Sequence, residues 1–158
     1  MVVTNSQSKI VSLILQQIVS DYPDINFEVA QTTHWQPDSN TIFYDSSNKN
    51  VIWSLLHELG HMKAEHKNYG YDLELLIMES EAWEKAVTLA KKYGVIIDKD
   101  HIEDCLDTYR NWLHKRSSCP SCEMTSSQND SGMYICINCS QEWKVSKSRF
   151  CRSYRIKN

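Results

Sequence analysis

Apolar residues at positions 10, 11, 13, 14, 15, 18 and 19 trace one face of a helix over Lys9–Ser20. Asp21, Tyr22, Pro23 and Asp24 break it. Ile25, Phe27 and Val29 then alternate with polar residues, which predicts a strand over Ile25–Ala30, and Thr41–Tyr44 predicts a second. The segment between them, with Trp35–Asn40, reads as a turn. Ser46, Ser47 and Asn48 offer capping oxygens ahead of a helix from about Asn50 to Lys67, which Gly70 ends. Asp72 can cap the next helix, whose apolar positions recur at 75, 76, 82, 83, 86, 89, 90 and 93 before Gly94. Asp98 or Asp100 opens a further helix towards Lys115. Beyond Ser117 the helical period is lost and the chain becomes rich in Cys and Ser. The pattern is that of an α+β protein, with a domain over residues 1–116 and a smaller one over 117–158.

Composition changes this picture little. A chain of 158 residues, 41% apolar and 23% charged, suits one globular domain with a small appendage. The longest near-apolar stretch, Ile10–Val19, is interrupted by Ser12, Gln16 and Gln17. It is too short for a bilayer, and no small-residue cleavage site follows it. The expectation is a cytoplasmic protein with no membrane contact. The net charge of −3 hides an asymmetry, because every basic residue after Ser117 lies from Lys144 onward. The cysteines are uneven too: Cys105 stands alone and the rest fall at or after Cys119. Paired two residues apart in a chain without an export signal, they read as metal ligands rather than disulfides.

The run His57-Glu58-Leu59-Gly60-His61 carries the chemistry. Histidines four apart project from one helix face, so two imidazoles can share a zinc ion, while Glu58 sits one step round, able to reach a water on it. Ile52, Leu55, Leu56 and Leu59 form an apolar collar that predicts burial. A catalytic zinc needs a third protein ligand and an open position. On a continued helix His66 rotates away from the metal face, and Ala64 and Lys67 break the long three-histidine pattern. Glu79 and Glu81 lie on the following helix. Glu79 shares a face with Leu75, Leu76, Ala82, Trp83 and Ala86, whereas Glu81 shares one with Glu74, Lys85 and Thr88. A carboxylate on an apolar face is costly unless bound, which favours Glu79 as the third ligand. Small Ala82 and Ala86 would let the two helices approach closely.

HELGH followed by the ExEAxxxA run at Glu79–Ala86 resembles the ImmA/IrrE-like gluzincin metallopeptidases, over about residues 40–90. The run departs from that family's pattern at Trp83 and Lys85. The resemblance implies a small zincin-like metallopeptidase domain in which His57, His61 and Glu79 bind the catalytic zinc and Glu58 is the general base. The activity implied is that of a zinc-dependent endopeptidase, hydrolysing peptide bonds of an intracellular protein substrate, a regulatory protein by the same resemblance, through a zinc-bound water that Glu58 activates. An oxyanion donor is expected among His34, His66, Tyr69 and Tyr71.

A second metal signal is Cys119-Pro120-Ser121-Cys122, then thirteen residues, then Cys136-Ile137-Asn138-Cys139. Four thiolates at this spacing form a closed tetrahedral site, so this zinc is structural. Met133–Ile135 and Glu142–Lys144 read as strands of a zinc ribbon, too small to fold without its metal. Cys105, on a face with Ile102, Leu106 and Tyr109, reads as a buried apolar residue, and Cys151 carries no role. The tail from Lys144 to Lys157, with Phe150 and Tyr154, is a solvated basic tail or a weak contact for nucleic acid or an acidic partner. Two other functions compete with the peptidase. One is a SprT-like protease of DNA-bound proteins, which also joins HExxH to a zinc ribbon. The other is a zinc-stabilised binding adaptor without turnover.

Overall fold

The computed structural model describes residues 3–146 and 156–157 and is α+β, with four helices and two small sheets among those residues. It divides into two units that do not follow chain order: Met1–Lys67 with Met78–Lys99, and Asn68–Ile77 with Asp100–Asn158. The boundary expected at 116/117 therefore falls inside the second unit.

In the first unit, α1 (Val3–Asp21) leads into a three-stranded sheet of β1 (Asn26–Val29), β2 (His34–Gln36) and β3 (Thr41–Tyr44), ordered β1-β3-β2. The central strand β3 runs parallel to β1 and antiparallel to β2, with Phe27 opposite Ile42 and Trp35 opposite Ile42 on the other side. The segment expected as a turn is thus a strand in its first half. Only Pro37–Ser39 turns, and Asn40, at φ 50°, closes it by donating its backbone N–H to the Pro37 carbonyl. Asn tolerates this left-handed conformation because its short polar side chain can bond locally.

Helix α2 (Val51–Lys63) packs against β3 and β2, burying Val51, Ile52, Leu55, Leu56 and Leu59 with Ile42 of the sheet and Ile18 of α1. Burying each such aliphatic side chain is worth about 1.5–3 kcal/mol. Within this unit, α3 (Asp72–Lys92) adds Ala82, Trp83, Ala86 and Ala90 to the buried set. Gly60 sets how closely the two helices cross, because a Cβ there would run into the Ala82 backbone carbonyl. The expected close approach is present, with Gly60 facing Ala82.

Helix α2 ends at Lys63, four residues before its expected end. The cause is a helix stop built without glycine. Glu65 takes the left-handed conformation at φ 56° and its N–H bonds to the Met62 carbonyl, while the His66 N–H bonds to the His61 carbonyl. These are the two hydrogen bonds of a Schellman motif, which turns the chain back over the last helical turn. His66 is thereby folded back instead of being carried round the helix.

The second unit contains α4 (Lys99–Ser117) and an antiparallel sheet of β4 (Ser127–Gln128), β5 (Tyr134–Ile135), β6 (Glu142–Lys144) and β7 (Ile156–Lys157), in that order. Strands β5 and β6 coincide closely with the expected ribbon strands, and β4 pairs with β5 as a further strand. Trp143 and Tyr134 stack at 5.2 Å between ring centroids and are buried with Cys119 and Cys136. Around them runs a buried polar network. Arg116 donates from Nε and Nη2 to the two Asp72 oxygens at 2.7 and 3.0 Å, and from Nη2 to the Ser146 carbonyl at 2.6 Å. The Tyr134 hydroxyl donates to Asp72 at 2.7 Å, and Trp143 Nε1 donates to the Arg116 carbonyl at 2.9 Å. The sheet beside the cysteine knuckles is therefore tied to the end of α4 and the first residue of α3. Burial, and then the neighbouring Asp72 carboxylate, raise the Tyr134 hydroxyl far above its ordinary pKa, so it stays a donor. Phe150, Cys151 and Tyr154 of the basic tail lie outside the described residues.

Candidate functional site

Helix α2 presents His57 and His61 on one face and α3 presents Glu79 opposite them. His57 Nε2 lies 3.1 Å from Glu79 Oε2, His61 Nε2 lies 3.6 Å from Glu79 Oε1, and the two imidazole Nε2 atoms are 3.1 Å apart. One ligand atom from each of the three residues falls within 4.8 Å of the others. His57 and Glu79 are buried, at 8% and 4% exposure. Burial pushes the Glu79 carboxyl up, but hydrogen bonds from His57 and His61 outweigh it and hold the group down at about 2. The carboxylate stays ionised in a place where an isolated charge would be costly.

The donor chemistry fits a cation. Two imidazole nitrogens and a carboxylate converge on one buried point, and two facing nitrogen lone pairs repel unless a proton or a metal ion lies between them. The His57 ring is held from its other side by Trp83, with centroids 4.3 Å apart. Its Nδ1 is buried and has no hydrogen-bond partner among the described residues, so its only polar engagement is through Nε2.

Glu58 is half-buried beside His57 in sequence. Its Oε2 accepts the backbone N–H of Trp35 at 2.8 Å. This contact exists because β2 is a strand, and Trp35 is the residue that reading the segment as a turn passed over. No periodic signal could have found it, since three residues are too few to show alternation. Glu81, the other carboxylate weighed as a ligand, lies outside the group. It pairs with His66 at 3.2 Å and with Lys85 at 3.4 Å.

The other expected residues scatter. His34 is exposed and stacked on Phe43 at 4.8 Å. Tyr69 and Tyr71 belong to the second unit. Cys105 is half-buried, its Sγ 3.7 Å from His101 Nε2.

In the second unit Cys119, Cys122, Cys136 and Cys139 gather into one group. Cys119 and Cys139 sulfurs are 3.6 Å apart, and those of Cys122 and Cys136 3.4 Å. Disulfide sulfurs would be at about 2.05 Å. A tetrahedral ion with metal–sulfur bonds of about 2.3 Å sets sulfurs about 3.8 Å apart, near the spacing found. The two knuckles repeat one backbone design. Cys119 and Cys136 donate their N–H groups to Met124 and Gln141 and accept from Glu123 and Ser140, all at 2.9 Å. Glu123 and Ser140, each just after its second cysteine, take positive φ of 61° and 59°. The Cys139 backbone N–H is the first cause lowering the Cys136 thiol, against the effect of burial, which favours a thiolate ligand.

Both groups are candidate metal sites. No helix of the described residues is long and apolar enough to cross a membrane. Comparison with protein-family models, curated proteins and solved structures finds no significant match.

Proposed function

We propose that the chain is a zinc-dependent endopeptidase acting on a protein substrate inside the cell, with a second, structural zinc held by its four cysteines. The observation that carries this reading is the convergence of His57, His61 and Glu79 beside a Glu58 whose carboxylate is already oriented. The resemblance of HELGH and ExEAxxxA to the ImmA/IrrE-like gluzincins points the same way, and on it rests the suggestion that the substrate is a regulatory protein.

His57 and His61 would hold the ion through Nε2 and Glu79 through its carboxylate. Bound there, zinc supplies a positive charge that acidifies water near neutral pH and polarises the scissile carbonyl. Glu58 does the proton work. The Trp35 N–H occupies Oε2 and fixes the plane of the carboxylate, leaving Oε1 to take the proton of the attacking water and deliver it to the departing amine. Such a base contributes about 10²–10⁴-fold to the rate. Trp83 keeps the His57 ring from turning, so its nitrogen stays aimed at the site.

The adaptor reading is weaker, because a purely structural ion needs neither an oriented carboxylate nor only three protein ligands. Comparing new protein N-termini in cells expressing wild type and Glu58→Gln separates the two. Wild type should generate cleavage products that the variant lacks while both bind the same amount of zinc. Identical products from both would overturn the peptidase reading.

A further inference from the structure

The Schellman turn after α2 places His66 against His61, and the ring nitrogens between them form a continuous path. His61 Nδ1 lies 2.9 Å from His66 Nδ1, and His66 Nε2 lies 3.2 Å from Glu81 Oε2. We propose that His66 and Glu81 are positioning residues that fix His61 in the one tautomer able to bind a metal through Nε2. The proposal rests on the metal-site reading above.

Proton bookkeeping along the path supports it from both ends. An ionised Glu81 can only accept, so His66 must carry its proton on Nε2. In neutral His66 the Nδ1 atom is then an acceptor, and the hydrogen bond to it requires a proton on His61 Nδ1. That leaves the His61 Nε2 lone pair free, and this is the atom that faces His57 and Glu79. Starting instead from a metal on His61 Nε2 gives the same protons in the same places. Carboxylate or carbonyl partners commonly orient metal-bound histidines in this way. Here a second imidazole is interposed between ligand and carboxylate.

The backbone is arranged for this contact. In the Schellman motif the residues His66 and His61 occupy the pair of positions that meet across the turn, a contact usually made by apolar side chains. Here two imidazoles make it, with ring centroids 5.1 Å apart. The His66 side chain is 10% exposed, whereas Glu81 is 46% exposed and also held by Lys85. Among the described residues His57 has no comparable device: Trp83 holds its ring and its Nδ1 has no hydrogen-bond partner there.

Cobalt(II) titration of the full chain tests this, because d–d bands of the nitrogen/oxygen site are separable from thiolate charge-transfer bands of the cysteine site. His66→Leu should weaken cobalt binding at the first site by about 10–100-fold and leave the thiolate bands unchanged. His66→Gln should recover most of that loss, since its carbonyl can accept from His61 while its NH₂ donates to Glu81. Equal affinities in wild type and His66→Leu, or a Gln variant no better than Leu, would overturn the relay. His57→Ala serves as the control for the site itself. If wild type shows no binding that His57→Ala removes, the metal-site reading and the relay fall together. If His57→Ala abolishes the d–d bands of the nitrogen/oxygen site but His66→Leu leaves those bands and their affinity untouched, the relay alone falls.

Discussion

Glu79 carries the electrostatics of the first site at the scale of a single residue. Its carboxyl is held at about 2 against an ordinary 4.5, because hydrogen bonds from His57 and His61 overcome the effect of burial. A folded-state pKa below the unfolded one stabilises the fold at every pH above the unfolded value. That contribution is lost as pH falls from about 4.5 towards 2. Denaturant unfolding of the metal-free chain should therefore show wild type losing more stability than Glu79→Gln between pH ~6 and ~3. Equal losses would mean that the carboxylate is not paired as described. Glu79 itself was legible in the sequence, because a carboxylate on an otherwise apolar helix face has few reasons to be there. His66 and Trp35 were not, since their importance comes from a helix stop and a strand pairing that bring distant positions together.

At the scale of elements, the crossing of α2 and α3 determines whether His57, His61 and Glu79 meet. Gly60 permits it, having no Cβ to strike the Ala82 carbonyl. Gly60→Ala gains some helix propensity, but it must push the two backbones apart. We expect a net loss of about 1–3 kcal/mol by thermal or denaturant melting, with weakened metal binding at the first site. A variant as stable as wild type would show that the crossing is not so tightly set. Most elements could be read from apolar spacing and capping residues: β1, β3, α3 and α4 lie within a few residues of where these put them, while α1 starts six residues ahead of Lys9. Two features could not. Strand β2 is three residues long and is defined by its pairing with β3, which is not a local property. The end of α2 relies on Glu65 in a conformation that usually marks glycine, so the sequence carries no punctuation there.

For the whole molecule, the sheet beside the cysteine knuckles is built into its unit and does not hang from it by a linker. Asp72 and Arg116 form a buried, doubly hydrogen-bonded pair that also engages Tyr134, while Trp143 bonds the Arg116 backbone. Removing one member strands the other charge, so Arg116→Met should cost about 3–5 kcal/mol in unfolding experiments. A loss below ~1 kcal/mol, the range of exposed ion pairs, would argue that the network is solvated. The CxxC spacing announced the cysteine group, but nothing local in the sequence tied Asp72 to Arg116 across more than forty residues.

The most direct test of the metal chemistry is anomalous diffraction at the zinc edge from crystals of the full chain grown with zinc. The expected map has one peak among Cys119, Cys122, Cys136 and Cys139 and a second within bonding distance of His57 Nε2, His61 Nε2 and a Glu79 oxygen. A peak at the cysteines alone, with the two imidazoles hydrogen-bonded to each other and to Glu79, would contradict a catalytic metal centre.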